Sequence, residues 1–509
     1  MSRPSLGILL ASCFTAVAAG GATAQQVVER VVPNGMRIWD FPDDDADCFS
    51  IAVMVGVGGR DEPPEHAGIA HFLEHSLFLS TPTRPNVAAD RQLIARGIGY
   101  NGYTSSEVTT YHLSGPAVHW SFMVEWLADH VLHARLDPAE VELERRTVLE
   151  EITTTGPDFR AITFENILYG NHPIARSVGG STSTVGSVTV DDLRAFHGRH
   201  YRAGNMAVGF SGRVATEPCM QAIEAAFAEL QQGEPIADDP PSQSIGDLLY
   251  QRAAASDSGQ LRLGYHLRCT QPEELAALLV IEAHLARRFF DVAREERHIA
   301  YAPHVELTWA RDAQRLEFQS ATSERGNVVA LAQIADGLVA ELRTLDDAGV
   351  GAAANQAVGN FMCSSVEDLT HALELATWIA WHGGDVAALS DGLPDTTPAE
   401  VRAATERWLR PGNRYSLSNV RVLDGNRELW ALLVVLTIGL AVLFYLYGGR
   451  LTAGLRTRVR RKAPAKGAVL AMPKPRPAPP RPLQPLDVDA VERDIQRFFE
   501  EEDRSTDER

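Results

Sequence analysis

Two histidines and a glutamate occur within five residues, His71-Phe72-Leu73-Glu74-His75. Apolar residues around them recur at helical spacing, so we expect a helix on which His71 and His75, four residues apart, share one face. Neutral imidazoles in this arrangement bind zinc, and Glu74 can reach the same point in space as a general base. The pattern H-x-x-E-H is the inverted form of a zinc hydrolase motif and predicts metal-assisted hydrolysis, with a chance match as the alternative.

A catalytic zinc also needs a third protein ligand and an open fourth position. Carboxylates for this role occur in ELERRTVLEEI, which carries Glu144, Glu150 and Glu151 on one predicted helix. Glu144 and Glu151 are seven residues apart and fall nearly on one helix face. The spacing does not choose among the three, and the alternative for Glu144 and Glu150 is a solvated position on the helix surface.

The elements that must hold these residues form two blocks, divided by a short polar link, GEPIADDPPSQS. Each block begins strand-like and turns helical, and both end alike, because Thr189–His200 and Thr397–Leu409 each predict a helix that leads into a short strand. We therefore predict an α+β fold of two homologous α/β-sandwich domains, each with helices and a mixed, mostly antiparallel sheet. The expected boundaries are 25–232 for the catalytic domain and 246–426 for a second, inactive domain.

The first 24 residues predict a secretory signal peptide. Arg3 supplies the charged start, residues 6–19 the apolar run, and Ala22-Thr23-Ala24 a small-x-small cleavage site. A retained anchor helix is one alternative, and lipidation at Cys13, which ends a lipoprotein-like Leu-Ala-Ser-Cys box, is another. The chain has no Asn-x-Ser/Thr sequence, which favours a bacterial periplasm over a secretory lumen.

Residues 429–448 predict a transmembrane helix. Leu429 to Tyr447 are 19 residues without a charge, enough to cross a hydrocarbon core of about 30 Å. Seven Lys or Arg residues follow between positions 450 and 466, which is typical of the cytoplasmic side. The remaining tail, 449–509, is basic and proline-rich and ends in a short helical pattern. We expect a single-pass protein of the bacterial inner membrane, with its body in the periplasm and a cytoplasmic tail that can bind a partner.

Charge is divided along the chain in the same way. The 509 residues have a net charge of −19, but residues 25–428 alone carry −24 and residues 450–509 carry +4. An acidic body with a pI near 5.3 argues against nucleic acid as the main partner. The expected exported part has four cysteines, whose spacing leaves three pairings open: Cys48, Cys219, Cys269 and Cys363.

The stretch from Asn34-Gly35-Met36 through GVGGRDEPPEHAGIAHFLEHSLFLST resembles the opening domain of the pitrilysin, insulysin and mitochondrial-processing-peptidase family, in its short two-domain branch. In that family the third zinc ligand is a glutamate about 76 residues past the second histidine, at the end of an E-R-x-x-x-x-x-E pattern. Glu144-Arg145 and Glu151 reproduce this pattern. The resemblance implies one zinc ion per chain, held by His71, His75 and Glu151, with Glu144 orienting the site and Glu150 solvated.

The segment Asn101-Gly102-Tyr103-Thr104 is similar to the family's edge strand beside the zinc. The resemblance implies that an extended substrate pairs with the main chain of Asn101, Gly102 and Tyr103. The family usually has a small residue at the position of Gly102, which lets the peptide come close. On the sequence alone this segment is a plain hairpin strand.

A second match is Arg294 and Tyr301, which resemble an R-x6-Y element of the family's later domain. Its arginine and tyrosine bind the substrate carbonyl and stabilise the tetrahedral intermediate. This sequence departs from the family pattern at His298, where a glycine is usual. The resemblance further implies that two subunits complete one chamber, so that Arg294 and Tyr301 act across a homodimer or a dimer with a zinc-less paralogue.

Together these features predict a membrane-anchored periplasmic zinc metalloendopeptidase that hydrolyses peptides or unfolded protein segments with water activated by Glu74 at the zinc. The alternative is a non-catalytic structural or assembly subunit of a membrane complex built on the peptidase fold. A membrane receptor that works through its cytoplasmic tail is a third possibility.

Overall fold

The structure is a computed structural model. It describes residues 27–43, 47–85, 91–155, 165, 168–236, 248–251, 259–267, 274–308, 311, 314–324, 326–361 and 366–419. The contacts divide the chain after Asp424, and every described residue belongs to the first unit. The predicted signal peptide, transmembrane helix and tail lie outside the described residues. Within the described part, no helix is both long enough and apolar enough to span a membrane.

The first half of the chain forms a six-stranded sheet in the order β1-β2-β6-β3-β5-β4. The pairing of β2 with β6 is parallel, and the other four pairings are antiparallel. The central strand β3 is apolar and buried at almost every position, as expected of a strand covered on both faces, whereas the edge strand β4 is polar and partly exposed. The strands are β1 (Val28–Val31), β2 (Arg37–Asp40), β3 (Cys48–Val55), β4 (Gly99–Thr104), β5 (Thr109–Pro116) and β6 (Met206–Gly212).

The second half forms a five-stranded sheet in the order β7-β11-β8-β10-β9. Its pairings run parallel, antiparallel, antiparallel and antiparallel, which is the order found from β2 to β4 in the first sheet. The two sheets therefore share one topology, apart from the additional β1. The strands are β7 (Leu248–Gln251), β8 (Gly259–His266), β9 (His304–Thr308), β10 (Arg315–Thr322) and β11 (Arg414–Asn419).

Helices pack on both sheets. They are α1 (Ile69–Leu77), α2 (Trp120–His133), α3 (Pro138–Thr155), α4 (Thr182–Ser187), α5 (Val190–His200), α6 (Thr216–Ala226), α7 (Leu275–Phe290), α8 (Asn327–Glu341), α9 (Asp347–Phe361), α10 (Val366–Trp381), α11 (Val386–Gly392) and α12 (Pro398–Trp408). Both halves end in the same kind of unit. Thr189 and Thr397 form capping boxes that begin α5 and α12, and each helix leads into the strand that comes last in the sequence of its half, β6 or β11.

The two halves share a hydrophobic core. Helix α10 belongs to the second half by sequence, yet it packs against β3, β5 and β6 of the first sheet. Leu369 and Leu373 of α10 approach Gly209 on β6 so closely that any larger side chain there would contact them. Trp39 and Met54 of the first sheet are buried in the same cluster as the second-half helices. The halves are therefore a single packed body, and the first sheet is covered on both faces.

The predicted mixed fold of sheets and helices is confirmed. The domain boundaries at 232 and 246 stay predictions, since residues 237–247 lie outside the described residues. Cys48 is an exposed free thiol and Cys219 a buried one. Cys269 and Cys363 are not among the described residues, so the pairing of the cysteines stays open.

Candidate metal centre

The zinc motif lies on α1, a short helix whose first turn is fixed by a buried carboxylate. Gly68 precedes the helix with a left-handed backbone (φ 93°), a conformation that glycine adopts readily. Glu62 accepts hydrogen bonds from the backbone N–H groups of Gly68 (2.7 Å) and Ala70 (2.8 Å). These two bonds satisfy donors that a helix leaves free at its N-terminus, and they orient the helix that carries the histidines.

The side chains of His71, His75 and Glu151 converge. One donor atom from each lies within 4.8 Å of the others. The Oε2 atom of Glu151 is 3.4 Å from Nε2 of His75 and 3.9 Å from Nε2 of His71. Ligand atoms around a tetrahedral zinc, with bonds of about 2.0–2.2 Å, stand about 3.4 Å apart. Two imidazoles and a carboxylate at this separation fit a catalytic zinc with an open fourth position.

Glu144 fixes the orientation of one candidate ligand. Its Oε1 atom lies 2.8 Å from Nδ1 of His75, which leaves Nε2 of that ring directed at Glu151. A carboxylate on the far nitrogen of a metal-binding histidine sets the tautomer and makes the ring a better donor. Both glutamates lie on α3, where Arg145 donates to the carbonyl of Val185 (2.6 Å). Glu150 is exposed on the same helix and does not line the cavity, as expected of a solvated residue.

Glu74 is buried next to the two histidines, with 6% of its surface exposed. The Thr104 hydroxyl donates to its Oε2 atom at 3.0 Å. A Cβ at Gly102 would lie 2.8 Å from its Oε1 atom, so glycine is the residue that fits there without displacing the carboxylate. Burial raises the pKa of Glu74, and the nearby His75 opposes that change. A carboxyl group in this environment is suited to accept and then release a proton.

The neighbouring charges act differently on the two histidines. Burial lowers the pKa of His71, and the adjacent His75 lowers it further, which favours the neutral imidazole that a metal requires. For His75, burial acts in the same direction, but the hydrogen bond with Glu144 and the charges of Glu74 and Glu151 outweigh it and raise its pKa.

The candidate metal centre opens into a cavity of about 1170 Å³. Edge strand β4 forms one wall, with Asn101, Gly102 and Tyr103 along it, and no strand pairs with its outer side among the described residues. Residues 177–182, a loop and the first residue of α4, form another wall. The predicted substrate strand therefore borders the candidate zinc ligands, which is the arrangement that an extended peptide needs in order to add to a sheet edge.

Arg294 and Tyr301 lie together but away from this cavity. The guanidinium of Arg294 donates to the backbone carbonyl of Tyr301 (2.7 Å) and lies over its ring, 4.6 Å from the centroid. Tyr301 is 62% exposed, and neither residue lines the cavity of the metal centre. His298 has a left-handed backbone (φ 53°), a conformation that glycine adopts more readily than other residues do. The structure thus joins the pair to each other and does not bring it to the metal centre of its own chain.

Several residues of the site were not predicted. Glu62 has no recognisable spacing signal, and the role of Thr104 depends on a tertiary contact with Glu74.

The second half also carries a counterpart of the motif. Glu282 on α7 faces edge strand β9 and accepts a hydrogen bond from the N–H of Leu307 (2.7 Å), much as Glu74 on α1 faces β4. Leu279 and Ala283 stand at the spacing of the two histidines. The sequence LVIEA could have revealed this degenerate repeat.

Asn360 completes the comparison between the halves. It is the fourteenth residue of α9, as Glu151 is the fourteenth residue of α3. Together with Leu279 and Glu282 it lines a second cavity, of about 880 Å³. This half therefore keeps the glutamate but has no imidazole at either ligand position and an amide in place of the third ligand.

The substitution Glu144→Gln tests whether Glu144 orients His75 for metal binding. We expect zinc affinity to fall by about 10- to 100-fold, because the amide is a weaker acceptor for the His75 ring N–H and holds the tautomer less firmly. Competition with a chelating dye measures the dissociation constant. Glu150→Gln, on the exposed surface of the same helix, is the matched control and should bind zinc as the wild type does. Equal affinities in the two variants would contradict the assigned role of Glu144.

The substitution Glu282→Gln tests the half-buried carboxyl group of the second half. Burial raises the pKa of Glu282 to about 8 from its ordinary 4.5, so the folded protein binds a proton that the unfolded chain releases. The stability that comes from this protonation of Glu282 is therefore fully present below about pH 4.5, and it is lost as the pH rises towards 8. Glutamine keeps an acceptor for Leu307 without that proton. Relative to the variant, the wild type should lose about 2–4 kcal/mol of unfolding free energy between pH 5 and 9.

Urea denaturation at both pH values measures this difference. Glu62, whose pKa burial also raises to about 8, is present in both proteins, so its effect cancels in the comparison. A difference between wild type and variant that stays constant over this pH range would show that Glu282 does not titrate in it.

Two protein-family descriptions match successive parts of the chain. Residues 42–178 match the family described as insulinase (peptidase family M16), and residues 187–356 match the peptidase M16 inactive domain. An uncharacterized zinc protease of Mycobacterium bovis is 32% identical over 301 residues, which cover 57% of this chain and 69% of the relative. The β subunit of the mitochondrial-processing peptidase of Caenorhabditis elegans is 26% identical over 220 residues, covering 43% of this chain and 48% of that subunit.

Solved structures share the fold. A protease from Helicobacter pylori aligns with a TM-score of 0.64 at 18% identity, covering 78% of this chain and 99% of the other. Pitrilysin aligns with a TM-score of 0.59 at 18% identity, and the match covers 78% of this chain but 45% of pitrilysin. The similarity thus spans the two sheets described above. The chain belongs to the insulinase family of peptidases, family M16.

Proposed function

We propose that the protein is a zinc endopeptidase that cuts peptides or unfolded protein segments. The convergence of His71, His75 and Glu151 on one point, beside a buried Glu74, is the observation that carries this proposal. These three residues would hold one zinc ion. When bound, zinc supplies a Lewis acid that polarises the scissile carbonyl and acidifies water. The names of the relatives as zinc proteases support the same assignment.

The residues of the chain perform the remaining steps. An extended peptide pairs with the open edge of β4, which brings its backbone past Glu74. Glu74 takes a proton from the attacking water and passes it to the leaving amine, and Thr104 holds its carboxylate in place for both transfers. Gly102 leaves room for the carboxylate and for the peptide backbone.

We further propose that the active unit is a homodimer, with a zinc-less paralogous partner as the alternative. The separation of Arg294 and Tyr301 from the metal centre of their own chain supports this proposal, because a second subunit could supply the pair to stabilise the tetrahedral intermediate.

We also propose that the body works in a bacterial periplasm, anchored by the hydrophobic segment at 429–448. The competing role, a structural subunit, is disfavoured because the ligand and base positions are all retained.

Digestion of an unstructured protein such as casein tests the proposed activity. The purified protein should cut it, should stop after treatment with 1,10-phenanthroline, and should recover when zinc is restored. Cleavage that survives complete metal removal would contradict the metal-dependent mechanism. A zinc-loaded protein that cuts no unfolded substrate would favour the structural role.

A further inference from the structure

The substrate strand β4 is held from both of its faces. Side chains alternate along a strand, so Gly102 and Thr104 face α1, where both approach Glu74. Tyr103 points the opposite way, towards α10, and its hydroxyl donates a hydrogen bond to Oε1 of Glu374. The two partners are 271 residues apart in the sequence. One face of β4 therefore contacts α1, which carries the two histidines, and the other face contacts the second half of the chain.

Both members of this pair are half-buried. Glu374 lies on the face of α10 that packs against the first sheet, near Leu373, which contacts Gly209. Burial raises the pKa of Glu374, and its hydrogen bond with Tyr103 opposes that change. Thr370, one turn earlier on α10, also bonds to the Tyr103 hydroxyl. A hydrogen bond to a half-buried carboxyl group is less exposed to competing water than one at the surface.

Edge strand β4 needs such support more than a central strand does. It pairs only with β5 among the described strands, and its residues range from exposed to half-buried. Edge strands with few buried contacts open locally at low cost. A peptide that adds to this edge binds best when the strand is already in its final position, because ordering the strand on binding would consume part of the binding free energy.

We propose that Glu374 is a positioning residue for peptide binding: through Tyr103 it holds β4 in place beside the metal centre. The inference rests on the proposed peptidase function and assigns to the second half a part in the active site of the first. Glu374 does not line the cavity of the metal centre, so it acts through Tyr103. Its loss should therefore weaken peptide binding and spare the chemical step, since the bond between Thr104 and Glu74 lies on the other face.

The variants Tyr103→Phe and Glu374→Gln, alone and combined, test this proposal in the full chain. Tyr103→Phe removes the donor, so we expect KM for an unstructured peptide to rise about tenfold, with kcat within about twofold of the wild type. Glu374→Gln keeps an acceptor oxygen and should have a smaller effect. The double variant should resemble Tyr103→Phe alone, because Glu374 acts on β4 through the Tyr103 hydroxyl, which that change already removes.

Tyr415→Phe is the matched control. Tyr415 likewise donates its hydroxyl to a glutamate, Glu317, but it lies on β11 in the second sheet. It should lower the melting temperature without changing KM. If it raises KM as much as Tyr103→Phe does, the effect is general destabilisation and the proposal is wrong.

Amide hydrogen exchange over residues 99–104 separates this proposal from the proposed activity, because it requires no turnover. Exchange of the amides bonded to β5 should be about tenfold faster in Tyr103→Phe and unchanged in Tyr415→Phe. Unchanged exchange in Tyr103→Phe would overturn the positioning role even if the enzyme is active. A wild type that cuts nothing would contradict the proposed activity, and the exchange data would still decide whether Glu374 holds the strand.

Discussion

The variant Glu74→Gln should lose peptide hydrolysis by about a thousandfold or more while keeping its zinc. Glutamine has the same shape, and its carbonyl can still accept from the Thr104 hydroxyl, so the local structure should persist. Its amide cannot take a proton from water, and general base catalysis contributes about 10²- to 10⁴-fold in such sites. The measurements are kcat/KM on an unstructured peptide and the zinc content of the same preparation.

Glu65→Gln provides the control for this experiment. Glu65 lies in the turn before α1 and is exposed, so the same chemical change there should leave both activity and zinc unchanged. If Glu74→Gln retains wild-type cleavage, the assigned proton transfers are wrong. If it loses zinc together with activity, Glu74 supports the metal site and its role as a base is not established.

The variant Glu151→Gln should lose zinc and activity together. It removes the carboxylate that lies 3.4 Å from Nε2 of His75 and leaves two imidazoles, a set too small for a catalytic site. We expect zinc affinity to fall by at least about a hundredfold, beyond the effect of losing an outer hydrogen bond. Glu150→Gln, the adjacent residue on α3, should behave as the wild type. The opposite result, with zinc lost in Glu150→Gln and retained in Glu151→Gln, would show that Glu150 is the ligand and Glu151 is not.

Local patterns predicted the parts of the site that depend on a single element. The spacing of His71, Glu74 and His75 on one helix follows from helical periodicity, and the structure places that helix at Ile69–Leu77. The strand character of the segment around Gly102 was also predicted. Glu151 came from a resemblance, because the sequence spacing alone could not show which glutamate of α3 turns towards the histidines.

Contacts between distant segments could not be predicted in this way. Glu62 accepts from the first turn of α1 because a loop folds back under the helix, and no periodic pattern records such a contact. The bond between Tyr103 and Glu374 exists because α10 crosses from the second half onto the first sheet. The same crossing joins two predicted domains into one packed body. The topology of the chain creates these relations, and neither residue type nor local spacing reveals them.

The zinc content of the purified wild type, compared with Glu74→Gln and Glu151→Gln, tests the central claim most directly. After equilibration with zinc and removal of the excess, the wild type and Glu74→Gln should each hold about one zinc ion per chain. Glu151→Gln should hold almost none. A wild type without zinc, or a Glu151→Gln variant with the wild-type content, would contradict the assignment of His71, His75 and Glu151 as the metal centre.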